Sequence, residues 1–460
     1  MKFILSCVDA NNQLQIFKYN NLTSEIFNKD GNLVEYKFRE SLKLKNHDSS
    51  IFPAISKEHP GSKSIDIHTL KIQLGLSCNY GCEYCSQRFV PHADSINPNL
   101  VKAFLLNAKN WLKSPPKRIE FWGGEPLVYW KTLKPLAEGL AEMFADVKMS
   151  MVTNGSILTD EIVEWIDAMD FGIGLSHDGP GQNVRGPDPL DDPEQARIIR
   201  SLYSKLAPKN DISFNSMVHR ENYDRKAIQQ YFAKFFGNDD FSIGEGGIID
   251  VYDEGGMANS FDKPEHYAAF RTLTFRQIRA GEITKFNIAR SRIHELLVSF
   301  VDKRDAMTLG QKCGMDDKHN IAIDLYGNVL TCQNVTSQSE APNGNSHKIG
   351  HVNTFDKIKL DTSTHWSFRK KCMDCPVLQS CKGSCMFLQG KYFDKSCDNS
   401  YSDHMPFFAA AIEIATGCIP IHIKAEDDSL SPERQTLWIN PKYIDDLPKI
   451  RAEPRKKNDL

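Results

Sequence analysis

Hydrophobic and polar positions change rhythm along the chain. Residues 1–70 hold short alternating segments such as "LQIFKY" and "LVEYKF", broken by "DANN" and "KDGN". Alternation of period two with Asn/Asp/Gly turns predicts hairpins, hence a small β-rich extension. From residue 71 apolar runs at 71–77, 118–122, 147–153, 171–176, 211–218 and 241–251 alternate with amphipathic stretches, among them "NLVKAFLLNAKNWL", "TLKPLAEGLAEMFA" and "EQARIIRSLYSKLA". That pattern predicts βα units around a parallel sheet, and six such units make a partial (β/α)6 TIM-like barrel over 71–262. A helical connector is expected over 263–312, then a cysteine-rich region at 313–400, then a C-terminal segment, 401–460. Its polar end "RAEPRKKNDL" carries the composition of disorder.

Composition sets the scene for the chemistry. At 460 residues, 40% hydrophobic and 25% charged, the chain can bury a sizeable core. A formal charge of -3 argues against a surface built for nucleic acid or anionic membrane. The start "MKFILSCVDA" is too short in its apolar run for an export signal and reads as a first strand. No stretch reaches the roughly 18–20 apolar residues of a membrane span. A cytoplasmic setting follows, where twelve cysteines serve metals or catalysis rather than disulfides.

Functional residues of such barrels gather at the carboxyl ends of the strands. Four motifs fall there: "CNYGCEYC" after the first strand, "GGEP" after the second, "TNGS" after the third and "SHDG" after the fourth. In the first, Cys78, Cys82 and Cys85 are separated by three and two residues. Three thiolates suit either a zinc site closed by a further ligand, with His92 nearest, or an iron-sulfur cluster with one iron left free.

"CNYGCEYC" resembles the CxxxCxxC signature of radical S-adenosylmethionine (radical SAM) enzymes. The resemblance implies a 4Fe-4S cluster on Cys78, Cys82 and Cys85 whose free iron chelates S-adenosylmethionine and cleaves it to a 5'-deoxyadenosyl radical. It also implies that Gly123, Gly124 and Glu125 of "GGEP" receive the methionyl amine. Asn154, Ser176 and Asp178 become candidates for ribose or methionyl contacts, and Arg185 in "NVRG" for the cofactor carboxylate. Tyr84 would touch adenine or pack under the loop. Each also has a plain reading, since Gly-Gly and Asn-Gly mark turns and a Ser or Asp at a strand end is commonly a cap.

Downstream, Cys313, Gly327, Cys332, Cys372, Cys375, Cys381, Cys385 and Cys397 follow a spacing that resembles the SPASM extension of radical SAM enzymes, which carries auxiliary clusters. The resemblance implies one full cluster on Cys372, Cys375, Cys381 and Cys397 and a second on Cys313, Cys332 and Cys385, three 4Fe-4S clusters in all. The second set is one ligand short. Asp305, Asp316 or His319 could complete it, or one iron stays open. Zinc ribbons are the alternative use of these thiols. Cys7 and Cys418 fall outside both patterns and read as buried thiols.

SPASM enzymes act mostly on peptides or protein side chains. The expected activity is oxidative modification of a ribosomally made precursor peptide by cross-linking its side chains through carbon-carbon, ether or thioether bonds, with flavodoxin or ferredoxin as electron donor. An anaerobic sulfatase-maturase-like oxidation is the enzymatic alternative, although Gln333 stands where maturases place an Asp base. A zinc-organised binding module is the non-enzymatic one. The β-rich extension could offer an edge strand to a leader peptide or close the barrel bottom.

Overall fold

The structure is a computed structural model, which describes residues 2–36, 61–92, 97–341, 344–360 and 364–439. The tail "RAEPRKKNDL" and the last two residues of "LVEYKF" lie outside them.

Six parallel strands build the barrel: Thr69–Gln73, Arg118–Trp122, Lys148–Thr153, Gly172–Ser176, Ile212–Asn215 and Ile243–Glu245, hydrogen-bonded in that order. All five residues of Thr69–Gln73 are buried, because this strand is covered on both faces and has a parallel neighbour on each side. Helices cross between the strands with conventional starts. Asp192, for example, accepts from the backbone N–H groups of Glu194 and Gln195, both at 2.9 Å, and so opens the helix Pro193–Leu206.

The barrel sheet does not stop at its first strand. Asn320–Asp324, inside the cysteine-rich region, pairs parallel with Thr69–Gln73, and Asn328–Leu330 and Lys348–His351 then continue the sheet antiparallel. The auxiliary region is therefore welded to the barrel edge by backbone hydrogen bonds.

The C-terminal segment departs further from expectation. The helix Gly390–Thr416 runs through the boundary drawn at residue 400 and ends at Gly417, whose φ of 75° suits a left-handed cap. Residues 399–413 of this helix are buried throughout, as befits a helix enclosed on all sides. Its Asp403 is flanked by the guanidiniums of Arg225 and of Arg292, the latter at 2.7 Å. Next, Ile419–Ala425 pairs antiparallel with Lys2–Val8 in a four-stranded sheet completed by Leu14–Asn20 and Ile26–Asn28. Tyr19 of this sheet packs on Phe300 and Phe408, ring centroids 5.9 and 5.1 Å away, so the sheet covers the helices Asn287–Asp302 and Gly390–Thr416. Cys7 and Cys418 are both buried there.

Candidate active site

The loop after the first barrel strand carries Cys78, which is exposed, with Cys82 and Cys85 partly covered. Backbone N–H groups of Tyr80 and Gln87 donate to the sulfurs of Cys78 and Cys85, each at 3.4 Å, an arrangement suited to thiolate. Burial pushes the Cys82 thiol up to about 11, with Arg185 pulling the other way, so without a metal it holds its proton.

The "GGEP" loop lies against this loop. A Cβ on Gly124 would stand 2.4 Å from the Leu76 carbonyl oxygen and 2.5 Å from that of Ser77, so glycine is required by contact. The N–H of Glu125 donates to Ser77 O at 3.0 Å. Glu125 is engaged within the protein. It is 1% exposed, and its carboxylate accepts from Leu127 N at 3.0 Å, Thr153 Oγ1 at 2.7 Å and Asn154 N at 2.8 Å. Asn154 is likewise engaged: its Nδ2 donates to Asn79 Oδ1 at 2.9 Å and its Oδ1 accepts from Ser156 N at 2.9 Å. Both tie the second and third strand-end loops to the cysteine loop, which is how they shape the site. Gly123 lies in the same close contact, its Cβ position 2.9 Å from Gly75 O.

A second cluster of side chains underlies the cysteines. The Tyr84 hydroxyl donates to Asp178 and accepts from Arg185 Nη1 at 2.9 Å, while Asp178 Oδ1 accepts from Met217 N at 2.9 Å and lies 3.7 Å from Arg185 Nη1. Asp178 is fully buried and braces Tyr84 and Arg185. Tyr84 is held under the loop by these two bonds. Burial works against the charge on Arg185, but Tyr84, Asp178 and Cys82 outweigh it and hold the guanidinium firmly protonated. Its Nε is buried without a hydrogen-bond partner. A cationic donor left open beside the cysteine loop is what an anionic cofactor group would satisfy. Ser176 closes the fourth strand half-buried. Its neighbour His177 is turned inward, accepting at Nδ1 from Gly179 N and pairing through Nε2 with Asp188 at 2.9 Å.

The downstream cysteines separate into two places. Cys372, Cys375, Cys381 and Cys397 wall one cavity, together with Val377, Leu378, Phe393 and Tyr401. Cys313, Cys332 and Cys385 lie outside that wall and neighbour one another. Burial raises the thiols of Cys385 and Cys332, to about 12 and about 11, and each of the three feels a second member of the set. Among the described residues no three cysteine sulfurs fall within 4.8 Å of one another. A tetrahedral zinc ion with Zn–S near ~2.3 Å would hold its sulfurs about 3.8 Å apart, so the wider setting fits clusters better than single ions.

Of the three residues offered to complete the second set, Asp305 is exposed and caps a turn at Met307. His319 stacks on His68 at 4.2 Å and bonds the Asp66 carbonyl oxygen at 2.6 Å. Asp316 is buried near Cys313, and its Oδ2 accepts from Gln311 N at 2.7 Å and meets His365 Nε2 at 3.1 Å. Gln333 lies beside Cys332, sulfur to Oε1 3.5 Å. Four further participants carry no motif in the sequence. Gln87 bonds Asn334, Asp250 is flanked by Ser384 and Lys312, and Arg434 donates to Cys397. Gln87 and Asn334, each two residues beyond a patterned cysteine, stood near a recognised pattern.

Residues 72–228 match the Radical SAM superfamily. The chain is 24% identical over 208 residues to the radical SAM cyclopropyl synthase TigE of Paramaledivibacter caminithermalis, a match that spans 40% of this chain and 41% of that enzyme. It is 21% identical over 355 residues to the serine-type anaerobic sulfatase-maturating enzyme of Bacteroides thetaiotaomicron, covering 68% of this chain and 80% of the relative. The fold is shared with the structure of anSMEcpe with bound AdoMet and Cp18Cys peptide: TM-score 0.52, 18% identity, 76% of this chain and 99% of that one. Among the described residues no helix is long and apolar enough to cross a membrane.

Proposed function

We propose that this chain, whose residues 72–228 form a radical SAM domain, oxidatively modifies a ribosomally synthesised peptide by joining its side chains. The observation that carries the reading is the cavity walled by Cys372, Cys375, Cys381 and Cys397, with a second thiol set beside it and a third on the barrel loop. Such a row of redox sites suits a reaction that must dispose of an electron after a radical has formed. Bound at Cys78, Cys82 and Cys85, a 4Fe-4S cluster and S-adenosylmethionine would supply a 5'-deoxyadenosyl radical once an external flavodoxin or ferredoxin provides an electron. The residues of this chain orient the cofactor through Arg185 and its braces Tyr84 and Asp178, and hold the cysteine loop through Glu125, Asn154 and Asn79. When C–H and X–H become C–X, one hydrogen atom leaves to the radical. The remaining electron passes toward the downstream cysteines and the remaining proton to solvent or a base.

That anSMEcpe binds a peptide, Cp18Cys, on the same fold supports a peptide substrate. The length of the match to the sulfatase-maturating relative favours a second reading, oxidation of a single side chain in a protein. Against it stands Gln333, an amide beside Cys332 where that chemistry needs a carboxylate base.

Anaerobically reconstituted, reduced protein should form 5'-deoxyadenosine from S-adenosylmethionine, and Cys82→Ala should abolish this while the circular dichroism spectrum persists. With the precursor peptide encoded beside its gene, the product should be lighter by two hydrogens per bond and resist sequencing at the joined residues. A formylglycine-type product on a sulfatase peptide, with the neighbouring peptide untouched, would establish the second reading instead.

A further inference from the structure

The C-terminal segment contributes to the cysteine-walled cavity. We infer that Arg434 is a positioning residue for the site held by Cys372, Cys375, Cys381 and Cys397, setting its reduction potential through a charge-assisted N–H···S hydrogen bond to Cys397. This inference rests on the auxiliary-cluster reading given above. Arg434 Nη2 lies 3.3 Å from Cys397 Sγ and 2.6 Å from Asp398 Oδ1, so its two hydrogens serve one ligand sulfur and one carboxylate. The guanidinium also stacks 4.7 Å over the Tyr401 ring, which lines the same cavity. It is 16% exposed against 48% for Asp398, so the charge is held on the protein side.

This placement is built by other residues. Arg434 belongs to the one-turn helix Pro432–Gln435, far too short to hold itself. Tyr401 Oη donates to Arg434 O at 2.6 Å. Arg271, buried on the helix Pro264–Arg279, donates to Thr436 O at 3.2 Å and Leu437 O at 3.0 Å. Trp438 stacks on Phe275 at 4.6 Å and donates to Pro420 O at 2.8 Å. Three anchors thus deliver one guanidinium to one thiolate.

The consequence follows from electrostatics. Donation of N–H to a ligand sulfur, and a fixed positive charge beside it, stabilise the reduced cluster more than the oxidised one, because reduction adds negative charge. The potential rises, and the site becomes a better acceptor for an electron leaving the substrate. Arg369 adds to this field, donating to Gly383 O at 2.8 Å and Cys385 O at 3.0 Å.

The test is a redox titration followed by electron paramagnetic resonance, on full-length protein in which Cys78, Cys82 and Cys85 are replaced so that only auxiliary signals remain. Arg434→Met should shift one of two midpoints negative, and Arg434→Lys, which keeps charge but not the planar fork, should shift it less. Asp398→Asn leaves Arg434 in place with its charge less compensated and should shift the same midpoint positive. Should iron be retained and these midpoints stay where they were, the role of Arg434 is overturned. If Arg434→Met sheds iron, Arg434→Lys and Asp398→Asn decide by the same criterion. A background protein that binds no iron at all would instead overturn the auxiliary-cluster reading, and this inference with it.

Discussion

Gln87 Nε2 donates to Asn334 Oδ1 at 3.1 Å, which joins the loop of Cys78, Cys82 and Cys85 to the loop of Cys332 across 247 residues of sequence. The contact is seconded by Thr336 Oγ1, which donates to Pro91 O at 2.7 Å, and by Gln73 at the end of the first barrel strand, whose Nε2 donates to Gln333 O at 2.9 Å. The two loops are thus held in fixed relation. On the proposed reading, radical formation and electron removal occur on either side of this junction. Gln87→Leu should leave 5'-deoxyadenosine formation intact but lower the ratio of modified peptide to 5'-deoxyadenosine by about fivefold, the equivalent of one net hydrogen bond of ~1 kcal/mol. Quantifying both products in one reaction checks this, and an unchanged ratio counts against the junction's role.

Tyr84 links Asp178 to Arg185 through a single hydroxyl. Tyr84→Phe keeps the ring and removes two bonds to charged groups, each of which contributes about 1.5–3 kcal/mol. The concentration of S-adenosylmethionine needed for half-maximal cleavage should rise by about tenfold or more. Thermal stability should fall as well, because Asp178 stays buried with one partner fewer, at a cost of about 1–3 kcal/mol.

Gly124 tests the close approach of the two loops. Gly124→Ala places a methyl 2.4 Å from a carbonyl oxygen, and displacing backbone costs about 1–3 kcal/mol. The loss should fall on the barrel site: iron should drop from about twelve to about eight per chain if three 4Fe-4S clusters are present. Gly81→Ala, inside the same cysteine loop with nothing within 4 Å of its Cβ position, should retain the full iron content.

The barrel strands were legible because alternating burial and chemistry coincide at their ends. Lys148–Thr153 shows its in-and-out pattern directly, and "TNGS" follows it. Asn320–Asp324 was not legible as a seventh parallel strand, since it lies inside the cysteine-rich region, beyond the run of alternating strand and helix patterns. The helix Gly390–Thr416 was hidden because residues 399–413 are buried on every side, the polar Asn399, Asp403, His404 and Glu413 included, so no apolar stripe marks one face. For the site, the SPASM resemblance grouped Cys372, Cys375, Cys381 and Cys397, and these four wall one cavity. Glu125, Asn154 and Asp178 follow strand ends as their motifs suggest, whereas their bonds within the protein were not legible, because sequence cannot tell an open side chain from one already committed to protein donors and acceptors. Arg434 lay beyond reading, 37 residues from the sulfur it meets.

Asp316 separates from the other residues offered as a ligand by its position near Cys313. Asp316→Asn should alter the auxiliary resonance signal of the Cys313, Cys332 and Cys385 set, whereas Asp305→Ala and His319→Ala should not, given an exposed cap and a histidine engaged with Asp66 and His68. A response to either control and not to Asp316→Asn would reassign the neighbour.

The last prediction concerns acid. His347 is 4% exposed, its Nδ1 lies 2.6 Å from Thr331 Oγ1, and its ring meets Phe387 edge-on at 4.8 Å. Burial lowers its pKa to about 4, against ~6.5 in an unfolded chain. Between these values the unfolded chain binds a proton that the native protein refuses, so stability is complete above about pH 6.5 and declines as pH falls toward 4. The full loss from this one side chain is about 3 kcal/mol, and about 2 kcal/mol of it is reached by pH 5. His404, lowered chiefly by its burial and then by Arg292, acts with the same sign. The melting midpoint should therefore fall between pH 7 and pH 5, and His347→Gln should show a smaller fall over that range while being less stable at pH 7, where the native imidazole is neutral and well packed. Equal pH slopes in the two proteins would mean that His347 is protonated in the native state, and the buried, neutral imidazole described for it would be wrong.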